Sequence, residues 1–195
     1  MDRHIKAAIL NLVSNAAFAS YYLLFGIMSS SWWLLTLGTY YFILSLVRFA
    51  VLLGKSKERF IPKFAGWMLV ILSFSLVGIV ILAVVRDRGQ RMHMIVMIAM
   101  AAYAFTKISV STVKLIKARR SVSATLITLR NISFADAFVS IFALQRSMLV
   151  SFEGMTEAEI VIMNAMLGSA VCIIVFLLGL NLLKSRKLLF KSLNN

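Results

Sequence analysis

FTKISVSTVKLIKARRSVSATLITLRN, residues 105–131, sets two lysines and a knot of basic residues between hydrophobic runs. Lys107, Ser111, Lys114 and Ala118 follow one another at steps of four, three and four, so a helix would carry them on one face. A basic turn, Lys117 to Ser121, follows, and then a Ser/Thr-rich run that ends at Arg130 and Asn131. Taken alone the stretch is equally a soluble basic loop, a nucleic-acid patch, or the ends of two membrane helices with charges inside the bilayer.

Composition separates these readings. Hydrophobic residues make up 61% of the 195 positions, charged residues only 14%, and the mean hydropathy is +0.92. Ordinary soluble domains are about half apolar and about a quarter charged. A chain this apolar is read as an all-α integral membrane protein. A single Pro and nine Gly suit long helices, and the alternating pattern of a membrane barrel is absent. The net charge of +14 would point to nucleic acid in a soluble protein. Here the 21 basic residues lie in small groups beside hydrophobic runs, and no polar segment is long enough to grip a duplex, so nucleic acid is excluded. The lone Cys172 lies in an apolar run and excludes a disulfide within the chain.

About 20 mostly apolar residues cross the roughly 30 Å of bilayer hydrocarbon as a helix. Six stretches are expected to do so: residues 5–28, 32–54, 64–85, 92–116, 122–150 and 160–183, forming one transmembrane domain over 1–195. The fourth run is broken at Lys107. The fifth is the least apolar, holding Arg130, Asn131, Asp136, Gln145 and Arg146. With both termini cytoplasmic, the inner side takes thirteen basic residues: Arg3, Lys6, Lys55, Lys57, Arg59, Lys63, Lys117, Arg119, Arg120, Lys184, Arg186, Lys187 and Lys191. The outer side takes three, Arg86, Arg88 and Arg91, together with the neutral Ser29–Ser31 turn and the acidic run from Phe152 to Glu159. That asymmetry follows the positive-inside rule and places the chain as a multi-pass protein of a plasma or inner membrane. Trp32 and Trp33 at the outer face and Trp67 near the inner face are expected to anchor at the headgroups. Thr156 and Glu159 have the spacing of a capping box opening the sixth helix. The basic start and Ala17–Ala19 resemble a cleavable signal. Asn11 and Asn15 interrupt the apolar run, so it is read as a retained helix.

Ionisable groups at membrane depth are costly and mark functional sites. At 1.5 Å per residue, Lys107 and Asp136 fall near the same mid-membrane depth on antiparallel helices, and Asp136 is the only acid expected within the hydrocarbon. Arg48, Lys107, Lys114 and Arg130 are expected to converge on the inner half, with Ser111 beside them and Asp136 as their counter-charge. Such cations either snorkel to the interface or line a cavity for an anionic or carboxylate-bearing solute or a lipid headgroup. Tyr40 and Tyr103 lie at suitable depth to add hydroxyls. Arg146 is expected at the outer interface. Asn11, Asn15 and Asn164 are expected to hydrogen-bond between helices, and the small residues of Asn15–Ser20 to let helices, or a partner subunit, approach closely.

No catalytic motif, metal set or nucleotide loop is present: HExxH, GxSG and paired intramembrane carboxylates are missing, and His4 and His93 are isolated. The expectation is a transporter- or channel-like protein with no cofactor and no enzymatic activity. A subunit that docks a partner or a second copy of the chain, for example the substrate-binding subunit of a larger importer, is the alternative. A lipid-modifying enzyme is a further one.

Overall fold

The computed structural model describes residues 2–53, 60–85, 94–118, 124–151 and 155–193, and all of these segments are helical apart from short turns. Six helices follow in order: α1 (Asp2–Met28), α2 (Trp32–Leu53), α3 (Ile61–Val85), α4 (Met94–Ala118), α5 (Ala124–Ser151) and α6 (Glu157–Leu193). Each has at least 22 residues, which at 1.5 Å per residue matches the thickness of bilayer hydrocarbon. Among the described residues four stretches are long and apolar enough to cross a membrane: Trp32–Leu53, Ile61–Val85, Thr125–Leu149 and Glu157–Lys184. α1 adds a shorter apolar stretch, Leu12–Met28. The chain is therefore an all-helical protein of membrane type.

Local chemistry sets the helix ends. α1 stops in a Schellman arrangement: Ser31 N–H reaches back to Gly26 O (3.0 Å) and Ser30 N–H to Ile27 O (3.3 Å). Ser30 takes the left-handed conformation this requires, with φ of 51°. The capping box expected before α6 is present, with Thr156 N–H donating to Glu159 Oε2 (2.8 Å) and Glu159 N–H to Thr156 Oγ1 (3.3 Å). Pro62 sits in the first turn of α3, where a missing N–H breaks no intrahelical bond. α6 continues past the expected Leu183 to Leu193.

α5 is the hub, packed against α2, α3, α4 and α6, while α3–α6 and α1–α2 form the most extensive pairings. The α3–α6 seam depends on two glycines. A Cβ on Gly66 would lie 3.0 Å from Gly179 O, and one on Gly179 would lie 3.0 Å from Gly66 O. The surface is inverted relative to a soluble protein. Leu24, Phe42, Phe74, Phe105, Met166 and Ile173 face outward, while Asn15, Arg48, Ser111, Asp136, Ser140 and Arg146 are buried. So large an apolar exterior is stable only against lipid or other protein.

Candidate functional site: a buried charge cluster around Asp136

α5 carries Ser133, Asp136 and Ser140 at steps of three and four, which puts them on one face, and all three are buried. That face meets α1, α2 and α4. Asp136, with no exposed surface, accepts from three side chains on three different helices. Lys107 Nζ of α4 lies 2.7 Å from its Oδ1. Asn15 Nδ2 of α1 donates to its Oδ2 at 2.8 Å, and Arg48 Nη2 of α2 approaches the same oxygen at 3.3 Å.

The surrounding polar atoms hold this geometry. Lys107 Nζ also donates to Asn15 Oδ1 and to Ser140 Oγ, both at 3.1 Å, and stands 5.4 Å above the Tyr41 ring. Ser140 gives its one proton to the Asp136 backbone carbonyl at 2.8 Å. The Tyr41 hydroxyl, 3.0 Å from Ser140 Oγ, must then be the donor in that pair. Arg48 Nη2 reaches Ser133 Oγ at 3.2 Å, and Ser111 Oγ donates to Ser133 O at 3.1 Å. Two cations thus share one carboxylate, leaving a formal charge of +1 within the cluster. Arg48 commits only Nη2; its Nε and Nη1 are buried without a hydrogen-bond partner. The Lys107 side chain keeps 13% of its surface exposed, so the cluster is not fully sealed.

The sequence-predicted residues divide accordingly. Arg48, Lys107, Ser111 and Asp136 come together. Arg130 is half-buried, with Nη1 unpartnered, and makes no ion pair with Asp136 among the described residues. The side chains of Lys114, Tyr103 and Asn11 lie outside the described residues, as do His4, His93 and the loop Arg86–Arg91. Tyr40 is buried with its hydroxyl unpartnered. Asn15, expected only to join helices, is part of the cluster itself; its i+121 partner on α5 leaves no trace in local sequence. Tyr41, Ser133 and Ser140 were missed for the same reason, although the three-four spacing of Ser133, Asp136 and Ser140 was readable.

Three expectations are corrected near the Ser29–Ser31 end. Arg146 is 2% exposed rather than interfacial: its Nη1 donates to Ala83 O of α3 at 2.7 Å, and its guanidinium stacks 4.7 Å from the Trp33 ring centroid. Trp33 is therefore a buried partner of Arg146 and not a headgroup anchor, whereas Trp32 and Trp67 are exposed. Asn164 is fully buried, but neither amide atom has a partner, so it does not hydrogen-bond between helices.

Among the described residues no three His, Cys, Asp or Glu side chains gather where they would hold a metal ion. The arrangement can bind by charge and hydrogen bonding, with one carboxylate able to exchange its cations for an incoming anion. Fold and site together define a membrane-type helical bundle built around a buried charge cluster. In comparison with known proteins, no family model, no curated protein and no solved structure matches the chain.

Proposed function

We propose that the protein is a small transporter- or channel-like membrane protein whose Arg48–Lys107–Asp136 cluster binds an anionic or carboxylate-bearing solute or a lipid headgroup. The observation that carries this reading is the sharing of one carboxylate by two buried cations, with Arg48 Nε and Nη1 left without acceptors. Burying a charge is tolerated when it is paired and hydrogen-bonded. In this reading Asp136 is the resident anion. An incoming oxyanion takes the free guanidinium donors and competes with Asp136 for Lys107, and one negative charge brings the cluster to neutrality. Asn15, Ser133, Ser140 and Tyr41 hold the cations in place as Asp136 is released. Arg130 and Lys114, closer to the α4–α5 connection, would draw anions towards the cluster by longer-range attraction.

The topology belonging to this reading has six crossings with both termini cytoplasmic, so the Ser29–Ser31 end is the outer one. The basic residues flanking the spans, thirteen on one side against three on the other, support it. Purified protein in liposomes is expected to take up a carboxylate or other oxyanion from a panel of such solutes, and Lys107→Ala and Arg48→Ala to weaken uptake by about tenfold or more, as loss of a charged hydrogen bond implies. Unchanged uptake in both variants would remove the proposal.

A second reading, a subunit that docks a membrane partner or another copy of the chain, is favoured by the exposed small residues Ala16, Ala17 and Ser20 on α1. A stable complex in mild detergent, with no solute binding by the isolated chain, would favour it over the first.

A further inference from the structure

Above the Asp136 cluster, towards the Ser29–Ser31 end, a second set of polar side chains is buried. Arg146 is ten residues from Asp136 on α5, about 15 Å along the helix axis. Its guanidinium is held by the Ala83 carbonyl and the Trp33 ring. Trp33 is 4% exposed, yet its Nε1–H has no acceptor.

Helix register brings Asn164 to the same layer. Gly168 faces α3 and α5: a Cβ there would lie 2.6 Å from Val80 Cγ2 and 3.2 Å from Phe142 Cε2. One turn outward on the same faces, Gly168 leads to Asn164, Val80 to Ala83 and Phe142 to Arg146. Gln145 Nε2 donates to Met163 O at 3.1 Å and fixes this α5–α6 register. Asn164 has no exposed surface, and both Nδ2 and Oδ1 lack a partner. Three helices thus bring an indole N–H, a carboxamide and a guanidinium to one level of the bundle, and the first two are unsatisfied. Buried polar groups are rarely left so without a reason.

We propose that this layer is a second solute site, separate from the Asp136 cluster, for a compact oxyanion that also carries a hydroxyl. The oxyanion accepts from Trp33 Nε1 and Asn164 Nδ2 beside the positive field of Arg146, and the hydroxyl donates to Asn164 Oδ1. A small hydroxycarboxylate and bicarbonate share this chemistry; chloride has no hydroxyl. The site is built without Arg48, Lys107 or Asp136 and stands whether or not those residues bind a solute.

Trp33 is itself the reporter. Trp32→Phe and Trp67→Phe replace the two exposed indoles and leave Trp33 as the only one of the three tryptophans. Emission of that protein in detergent is followed while lactate, bicarbonate or chloride is added at constant ionic strength. The expected result is a saturable change with lactate or bicarbonate and none with chloride. The change persists when Lys107→Ala is added and is lost with Asn164→Leu. Replacing an unpartnered buried amide by an apolar group of similar size should leave the melting temperature at or above its starting value, so loss of response without loss of stability marks a binding role. Trp33→Phe repeats the test independently, read as loss of the melting-temperature rise that lactate or bicarbonate gives the unmodified protein. No saturable response to either oxyanion, or a response undiminished by Asn164→Leu, would overturn the proposal.

Discussion

Asp136 holds together side chains from three other helices, so its removal should cost more than that of any partner. Without it Arg48 and Lys107 remain buried with no counter-charge, a change worth about 3–5 kcal/mol for a broken buried pair. Lys107→Met leaves the carboxylate with Arg48 and Asn15, and its cost should be clearly smaller. Thermal unfolding in detergent should therefore rank Asp136→Ala well below Lys107→Met. Combining Asp136→Asn with Lys107→Met should recover part of what Asp136→Asn alone loses. Equal losses for both single variants would mean that the carboxylate is not the centre of the network. Much of this cluster was legible in the sequence, because depth along a helix follows from counting residues. That put Lys107 and Asp136 at one level and named Arg48. Counting gives depth but not the direction a side chain faces around the helix. For that reason Arg146 and Trp33, placed near the Ser29–Ser31 turn, are expected at the interface when they face inward, and Asn15, expected to hydrogen-bond between helices, does so as a bridge between Lys107 and Asp136.

At the scale of elements, the helices most secure in hydropathy are not the ones that organise the bundle. α5, the least apolar stretch by sequence, is the hub because its polar face has partners on α1, α2 and α4. Hydropathy measures what lipid tolerates, and α5 is shielded from lipid by its neighbours. The α3–α6 seam shows a different limit: Gly66 and Gly179 lie far apart in sequence, and nothing local to either marks the other. Gly179→Val should force these helices apart against the Gly66 carbonyl and Val70, at a cost of about 1–3 kcal/mol. The same substitution at Gly78, whose Cβ would meet nothing within 4 Å, should cost much less. A comparison of melting temperatures separates the two, and equal effects would contradict the close approach. The cap before α6 was legible because its signal is local. Thr156→Val removes the side-chain acceptor for Glu159 N–H and should lower stability by about 1 kcal/mol, measured the same way.

At the scale of the molecule, the exterior is apolar and the charge lies at the connections and in the core. The proposed topology predicts which surfaces a membrane-impermeant thiol reagent reaches. On a Cys172→Ser background, a cysteine at Ser30 should be labelled in intact cells, and one at Lys55, Arg119 or Lys191 only after permeabilisation. Labelling of both Ser30→Cys and Lys191→Cys from outside would leave an odd number of crossings, and labelling of Lys191→Cys alone would reverse the assignment of the cluster to the inner half. The central claim is that two buried cations sharing one carboxylate form an anion site, and ligand-induced stabilisation tests it most directly. A ligand at about 100 times its dissociation constant adds about 2.7 kcal/mol to stability. Melting temperatures of the purified Asn164→Leu protein, in which the second site is removed, measured across mono- and dicarboxylates, phosphate and sulfate at fixed ionic strength, should rise saturably for at least one oxyanion, and that rise should vanish when either Arg48→Met or Lys107→Met is added. No oxyanion raising the melting temperature, or a rise that survives in both variants, would contradict it.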